Sequence, residues 1–247
     1  MRDSLSATTT NIKGHAGDDV AAYLARPGGT DRRGGVVMIH HMPGYDRASK
    51  EMVRRLAEFG YDAICPNLYW REAGDASSDD AAAIARSTGG LPDERVVGDV
   101  AGAIAALRDL PTANGRIGVI GYCAGGRQCV LVACQLEVDA AVECYGAYVT
   151  GTVLPGHPFA DNIEAFLPNL RAPLLGLFGD EDLYPSPEQV ARLDELLTEH
   201  GKTHEFHSYP DAGHAFFAVD RPTYRVAAAN DGWERVEAFF AEHLGVI

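Results

Sequence analysis

The residues with the clearest chemical potential form a short run flanked by glycines, Gly121-Tyr122-Cys123-Ala124-Gly125. A strand-like apolar run, 116–120, precedes it, and a strongly apolar helix-like run, 124–136, follows it. A nucleophile between such glycines, at a strand-to-helix turn, is a nucleophile elbow, where larger side chains would collide with neighbouring elements. The helix dipole at this turn favours a thiolate. We therefore predict that Cys123 is a nucleophile; a buried cysteine beside a tight turn is the alternative.

A cysteine nucleophile needs a base, and the base needs an acid that orients it. Where a nucleophile elbow is present, the chain order is nucleophile, acid, histidine. The acid is expected among Asp180, Glu181 and Asp182, which follow the apolar run 174–179. His214 follows the last predicted strand and fits the histidine position. The alternatives are a solvated acidic loop and a histidine that caps the next element.

Alternating strands and helices are needed to bring these residues together. Apolar runs predict strands at 36–39, 61–65, 116–121, 138–145, 173–178 and 203–209. Helical spacing predicts helices at 52–59, 97–107, 124–136 and 223–244, and Ser186 with Gln189 forms a capping box that begins another. The alternation predicts an α/β fold, with a mostly parallel central sheet covered by helices on both faces.

The chain shows no internal repeat and no linker rich in Gly, Ser or Pro, so residues 1–247 are expected to form a single domain. Residues 1–34 are interpreted as an N-terminal extension or as edge strands. Residues 71–91 and 147–170 have no regular pattern and follow strands. Loops at that end of a parallel sheet surround its binding site, so both segments are predicted to cover the site.

The motifs resemble those of the dienelactone hydrolase family, thiol enzymes of the α/β-hydrolase fold, over nearly the whole chain. The resemblance rests on the run 121–126, on Gly179-Asp180-Glu181-Asp182-Leu183-Tyr184-Pro185 and on Gly213-His214-Ala215-Phe216. It implies an α/β-hydrolase fold and hydrolysis of a small ester or lactone without a cofactor. It also implies Asp182, rather than Asp180, as the acid of a Cys123–Asp182–His214 triad.

The early loop His40-His41-Met42-Pro43-Gly44 departs from the family pattern. The family typically carries a glutamate where His41 stands, and Ala218 lies near the position of a family arginine that holds a substrate carboxylate. His41 is predicted to contact the thiol in place of that glutamate. The backbone N–H groups of Met42 and Ala124 are predicted to bind the oxyanion. Further predicted substrate-binding residues are His40, Tyr122 and Tyr145.

Composition narrows the function classes. The net charge of −14 argues against a strongly basic nucleic-acid binder, and no apolar run approaches the ~18 residues that span a bilayer. Five cysteines without a CxxC motif favour reduced thiols and a cytoplasmic location. His204 and His207 face opposite sides of a predicted strand, so no metal site is expected. A monomer or a homodimer is expected.

Two alternatives to ester or lactone hydrolysis remain open from the residues. The first is a non-catalytic binding or scaffold protein of the same fold, which the absence of the family glutamate suggests. The second is a C–C bond hydrolase or an acyltransferase that uses the same three residues. The presence of a complete nucleophile, histidine and acid argues against the scaffold, because a scaffold has no need of all three.

Overall fold

The computed structural model describes residues 5–157, 159 and 161–245. Its central feature is an eight-stranded sheet with the order β1-β2-β4-β3-β5-β6-β7-β8. The strands are β1 (Leu5–Lys13), β2 (Asp19–Pro27), β3 (Arg33–Ile39), β4 (Asp62–Pro66), β5 (Ala113–Tyr122), β6 (Ala140–Cys144), β7 (Leu174–Gly179) and β8 (His204–Tyr209).

The six strands from β3 to β8 run parallel, whereas β1 and β2 form an antiparallel hairpin at one edge. Strands β3, β4, β6 and β7 are buried along their whole length, as expected for parallel strands covered on both faces. Because the six strands are parallel, the loops after β3, β5, β6, β7 and β8 meet at one edge of the sheet.

Seven α-helices are present in the described ranges: α1 (Arg47–Glu58), α2 (Trp70–Ala73), α3 (Ser78–Ser87), α4 (Asp93–Arg108), α5 (Ala124–Gln135), α6 (Pro187–Glu199) and α7 (Val226–Leu244). Apolar residues of α4, α5 and α6 pack in one cluster on one face, and those of α1 and α7 pack in a second cluster on the other. The predicted mostly parallel sheet with helices on both faces is confirmed.

The segment 71–91 corrects one prediction, because it is largely helical rather than irregular. Ser77 caps α3 by accepting a hydrogen bond from the Asp80 N–H, and Ala81, Ala82 and Ala85 form the buried side of that helix. Alanine gives little hydrophobic contrast, which hides the helical periodicity in the sequence. In the described part of the segment 147–170, which omits residues 158 and 160, there is no strand and the one helix is a 3₁₀ helix, Glu164–Asn169.

The capping box that begins α6 is present as predicted. The Ser186 hydroxyl accepts from the Gln189 N–H, and the Gln189 side chain accepts from the Ser186 N–H at 3.0 Å. Helix α1 begins five residues earlier than its apolar periodicity suggested, because the Asp46 side chain caps it by accepting from the Ser49 N–H at 2.7 Å.

Candidate active site

Cys123 lies at the turn between β5 and α5, with a backbone φ of 57° and ψ of −122°. A left-handed φ is uncommon for a residue with a side chain and marks local backbone strain. The flanking glycines allow the turn: a Cβ at Gly121 would overlap the Gly125 carbonyl, and one at Gly125 would overlap the Ile39 carbonyl. The sequence therefore folds into a tight elbow that presents Cys123 at the N-terminus of α5.

The loop after β7 supplies the acid that reaches the histidine. The His214 ring places Nδ1 2.8 Å from Asp182 Oδ2, and Asp182 Oδ1 accepts from the Tyr184 N–H at 2.9 Å. Asp182 is buried, whereas Asp180 and Glu181 are exposed. With Nδ1–H donated to the carboxylate, the other ring nitrogen of His214 is left for the thiol.

The electrostatics of the site favour a thiolate–imidazolium pair. Burial opposes ionisation of Cys123, but the His214 side chain and the backbone N–H groups of Ala124 and Met42 outweigh it and lower the pKa of the thiol. Burial also opposes the charged form of His214, but its bonds to Asp182 and Cys123 raise its pKa to about 10. The backbone groups predicted to bind an oxyanion are thus the ones that face the sulfur.

The environment of the other four cysteines raises the thiol pKa instead of lowering it. Cys65, Cys129, Cys134 and Cys144 are buried, and Cys123 alone of the five is partly exposed. Burial raises the pKa of Cys134 to about 12 and raises the pKa values of the other three further. Within this chain, only Cys123 combines access with a stabilised thiolate.

His41 does not occupy the position predicted for it. Its Nε2 lies 2.7 Å from Asp46 Oδ2, so the side chain faces the start of α1 instead of the thiol. The neighbouring His40 is buried, with Nδ1 2.8 Å from the His41 carbonyl oxygen and Nε2 accepting from the Leu68 N–H. Burial lowers the pKa of His40 to about 4, so it is a neutral group that fixes the loop carrying Met42.

Tyr122 and Tyr145 are also placed differently from the prediction of direct substrate contact. Tyr122 is the last residue of β5, and its side chain is fully buried. It packs in the core cluster between the sheet and helices α1 and α7, away from the elbow. Tyr145 is buried as well, and its ring packs edge-on against His214 with centroids 5.2 Å apart. Tyr145 therefore supports the histidine from behind, and Tyr122 belongs to the core.

A cavity of about 640 Å³ opens over Cys123, Ala124 and His214. The segment 147–170 contributes Ala147, Tyr148, Leu154, His157 and Phe159 to its lining, and the loop after β7 contributes Leu183 and Tyr184. Met42, Glu181, Thr223 and Arg225 complete much of the boundary. Sequence reasoning identified the segment 147–170 but missed these individual side chains, whose only signal is a cluster of aromatic residues and histidine without periodicity.

Among the described residues, no group of three or more His, Cys, Asp or Glu side chains is arranged to hold a metal ion. None of the helices in the described ranges is long and apolar enough to cross a membrane.

The chain is similar to known proteins over most of its length. Residues 20–244 match the profile of the dienelactone hydrolase family. A Salmonella typhimurium protein named "Putative carboxymethylenebutenolidase" is 38% identical over 98% of this chain and 89% of its own length. A protein of the same name from Methylorubrum extorquens is 34% identical over 91% of this chain and 77% of its own.

A solved structure gives the same result at the level of the fold. The crystal structure described as a putative dienelactone hydrolase from Klebsiella pneumoniae superposes with a TM-score of 0.85 at 29% identity, over 98% of this chain and 100% of its own. The chain belongs to the dienelactone hydrolase family, enzymes of the α/β-hydrolase fold that cleave carboxylic esters and lactones.

Proposed function

We propose that this protein hydrolyses a small ester or lactone through a Cys123–His214–Asp182 triad and a covalent thioester intermediate. The observation that carries the proposal is the 2.8 Å contact between His214 Nδ1 and Asp182 Oδ2, at a histidine whose other side faces the thiol. The cavity over Cys123 gives a small-molecule substrate access to the sulfur.

In the first half-reaction, the Cys123 thiolate attacks the acyl carbon and forms the sulfur–carbon bond. The carbonyl oxygen becomes an oxyanion, which the backbone N–H groups of Ala124 and Met42 stabilise by hydrogen bonds. The carbon–oxygen bond to the alcohol then breaks, and His214 donates its proton to the leaving oxygen. A lactone substrate keeps its alcohol tethered to the acyl group, whereas an open ester releases it.

In the second half-reaction, His214 accepts a proton from water as the water oxygen attacks the thioester carbon. The tetrahedral intermediate collapses by breaking the sulfur–carbon bond, which regenerates the Cys123 thiolate and releases the acid. Asp182 holds the imidazole in the required tautomer and stabilises its protonated form throughout. Tyr145 limits rotation of the ring by packing against it.

A panel of simple esters and lactones, assayed on wild type, Cys123→Ala and Cys123→Ser, tests the triad. We expect turnover by wild type, no turnover by Cys123→Ala, and acyl transfer to residue 123 of wild type detected by intact-protein mass spectrometry. Turnover by Cys123→Ala equal to that of wild type would show that another group is the nucleophile. A matched Cys65→Ala variant, changed at a buried thiol, controls for loss of fold.

A further inference from the structure

The geometry points to an uncharged aromatic group in the substrate, recognised by a wall of side chains in the cavity over the thiol; this inference rests on the function proposed above. We define the aromatic wall as Tyr148, His157, Phe159 and Tyr184, all of which line the cavity over Cys123. The substrate class that follows is esters or lactones with a benzene-like group on the acyl or the alcohol side. Such a substrate would be recognised by its aromatic ring, whereas the family arginine holds a substrate by its carboxylate.

The four rings of the aromatic wall contact one another in sequence. Tyr148 packs edge-on against His157 at a centroid distance of 4.5 Å and lies 5.6 Å from Tyr184. His157 in turn lies 5.0 Å from Phe159. Rings at these separations and tilts present both faces and edges to the cavity. An aromatic ring of the substrate can therefore pack against them in an offset-stacked or edge-to-face arrangement.

The aromatic wall is held from behind by a buried cation. The Arg127 guanidinium lies over the Phe159 ring at 4.2 Å and donates to the Asp161 carbonyl at 3.0 Å. It also makes two hydrogen bonds to the Asp93 carboxylate, at 2.7 and 2.9 Å. Because Arg127 lies on α5, four residues after Cys123, the same helix positions the nucleophile and supports the wall.

The wall itself is neutral near physiological pH. Burial and the nearby Arg127 cation lower the pKa of His157, and burial raises the pKa of Tyr148. Leu154 and Leu183 extend the apolar surface at the mouth of the cavity. A charged group placed against these side chains would lose hydration without gaining a partner, so the wall selects an uncharged group.

The polar end of the cavity offers little for a substrate carboxylate. Arg225 is the one arginine or lysine among the described lining residues, and its Nε and Nη1 already donate to the carbonyl oxygens of Asp211 and Pro222, at 2.9 and 3.1 Å. Glu181 and Asp182 also line the cavity, and their negative charges oppose a carboxylate on the substrate. The charged and the aromatic lining residues therefore both favour an uncharged substrate.

Matched ester pairs test the inference. Methyl phenylacetate against methyl cyclohexylacetate probes the acyl side, and benzyl acetate against cyclohexylmethyl acetate probes the alcohol side, each rate being divided by its rate with hydroxide. We expect kcat/KM to favour the aromatic member roughly 3- to 10-fold in at least one pair, the preference that an aromatic contact gives. Monomethyl succinate is expected to be slower than methyl butyrate, its uncharged counterpart.

Two variants assign the preference to the wall. Tyr184→Leu and Phe159→Leu are each expected to move the aromatic-to-cyclohexyl ratio toward one, because the aromatic ester loses more of its rate than the cyclohexyl ester. Phe239→Leu removes a ring on α7 that is not part of the cavity lining and should leave the ratio unchanged. Ratios that stay high in both wall variants would place the aromatic group elsewhere and overturn the assignment.

A binding measurement keeps this inference separate from the proposed function. Phenylacetamide is expected to protect Cys123 from alkylation at a lower concentration than cyclohexylacetamide, whether or not any ester is turned over. Turnover that requires Cys123, combined with equal protection and no aromatic preference, would refute the wall while leaving the triad intact. A preference for monomethyl succinate over methyl butyrate would likewise overturn the inference and favour Arg225 as a carboxylate site.

Discussion

Cys123 combines two features that normally oppose each other, limited solvent exposure and a thiol pKa below its ordinary value. Burial alone would keep the proton on sulfur, as it does at the other four cysteines. The difference comes from His214 and from the N–H groups of Ala124 and Met42, which compensate the charge on sulfur. The reactivity of this residue is therefore a property of its hydrogen-bond partners.

Cys123 is predicted to be the rapidly alkylated thiol. Brief iodoacetamide treatment followed by peptide mass spectrometry should label Cys123 near pH 7, because its pKa is lowered and the other pKa values are raised. His214→Gln should slow this labelling at pH 7 and move its pH midpoint upward, since the thiolate loses its cationic partner. Faster labelling of Cys65 or Cys144 in the folded protein would contradict the prediction.

Asp182→Asn is predicted to reduce kcat far more than Asp180→Asn. An amide in place of the orienting carboxylate stabilises the wrong imidazole tautomer, with a loss of up to about 10⁴-fold in a serine protease. Asp180 is exposed and follows β7 directly, so its substitution should change kcat less than about 3-fold. The measurement is kcat of both variants with one ester under steady-state conditions. Similar small losses of kcat in both variants would show that Asp182 is not the acid.

Glu143 is a buried acid that takes no part in the proposed reaction. Its Oε1 accepts from the Gly146 N–H at 2.5 Å, and Oε2 has no hydrogen-bond partner among the described residues. Burial, with a smaller contribution from the Asp182 charge, raises the pKa of Glu143 to about 8. The side chain is therefore neutral at pH 7 in the folded protein and ionised when the chain unfolds.

The raised pKa of Glu143 predicts a loss of stability with rising pH. Stability is highest below about pH 4.5, where Glu143 is protonated in both states. It decreases as the unfolded chain ionises and levels off above about pH 8, a total loss on the order of 5 kcal/mol. Glu143→Gln mimics the neutral acid and should flatten this part of the urea-unfolding pH profile. The exposed Glu58→Gln serves as the control, and parallel profiles for wild type and Glu143→Gln would disprove the assignment.

For individual residues, the sequence predicted those that belong to a motif and missed those that come together only through packing. Glycine spacing and chain order pointed to Cys123 and His214, because each lies at a fixed place relative to a strand. The structure shows His41 in contact with Asp46 and shows no contact with the thiol, because adjacent residues at a strand end point in opposite directions and sequence does not fix which one faces inward. The aromatic wall has no periodicity, so only the folded chain brings its rings together.

Among the elements, α1 depends on a polar pair that sequence periodicity did not reveal. Asp46 accepts from the Ser49 N–H through one oxygen and contacts His41 through the other. Burial opposes ionisation of Asp46, but the bonds to His41 and Ser49 outweigh it and lower its pKa to about 2. Because His41 directly precedes Met42, this pair ties the loop that carries the Met42 N–H to the start of α1.

Asp46→Ala is predicted to lower the free energy of unfolding by about 1–2 kcal/mol, the usual cost of losing a helix N-cap. Asp46→Asn should retain most of the cap and cost less. Urea unfolding followed by circular dichroism measures both. As a companion test, His41→Gln should leave the pH profile of Cys123 alkylation unchanged, and a shifted midpoint would show that His41 acts on the thiol after all.

Helix and strand positions followed from the sequence where apolar contrast was strong. Each of the six parallel strands lies within a few residues of its predicted run, and α6 begins at its predicted cap. The prediction failed at α3, where buried alanines alternate with small or acidic residues and give little contrast. Element type thus follows from periodicity, whereas short alanine-rich helices need tertiary packing to be recognised.

On the scale of the whole molecule, Arg127 joins parts that are distant in sequence. Its hydrogen bonds connect α5 to the first residue of α4, Asp93, and to Asp161 in the segment that covers the cavity. The side chain is almost fully buried, whereas Asp93 is partly exposed. Removing one partner of such a pair leaves a polar group without compensation, which costs more than the loss of a surface ion pair.

Arg127→Met is predicted to lower the free energy of unfolding by about 2–3 kcal/mol and to raise KM for an aromatic ester several-fold. Cys123 alkylation should change little, because the elbow keeps its own contacts. Arg192→Met removes an exposed pair with Glu195 and should cost less than about 0.5 kcal/mol. Urea unfolding and steady-state kinetics provide the two measurements, and a variant equal to Arg192→Met in both would exclude this role for Arg127.

The elbow glycines have a consequence for mutational tolerance. A methyl group at Gly121 would overlap the Gly125 carbonyl and push α5 away from β5, whereas one at Gly125 would overlap the Ile39 carbonyl and push α5 away from β3. Ala124 begins α5 and Met42 follows β3, so the change at Gly125 would separate their N–H groups, and the change at Gly121 would open the elbow that presents Cys123. In a saturation library selected for turnover, both glycine positions should therefore remain invariant, whereas position 124, which acts through its backbone, should accept serine or other small residues.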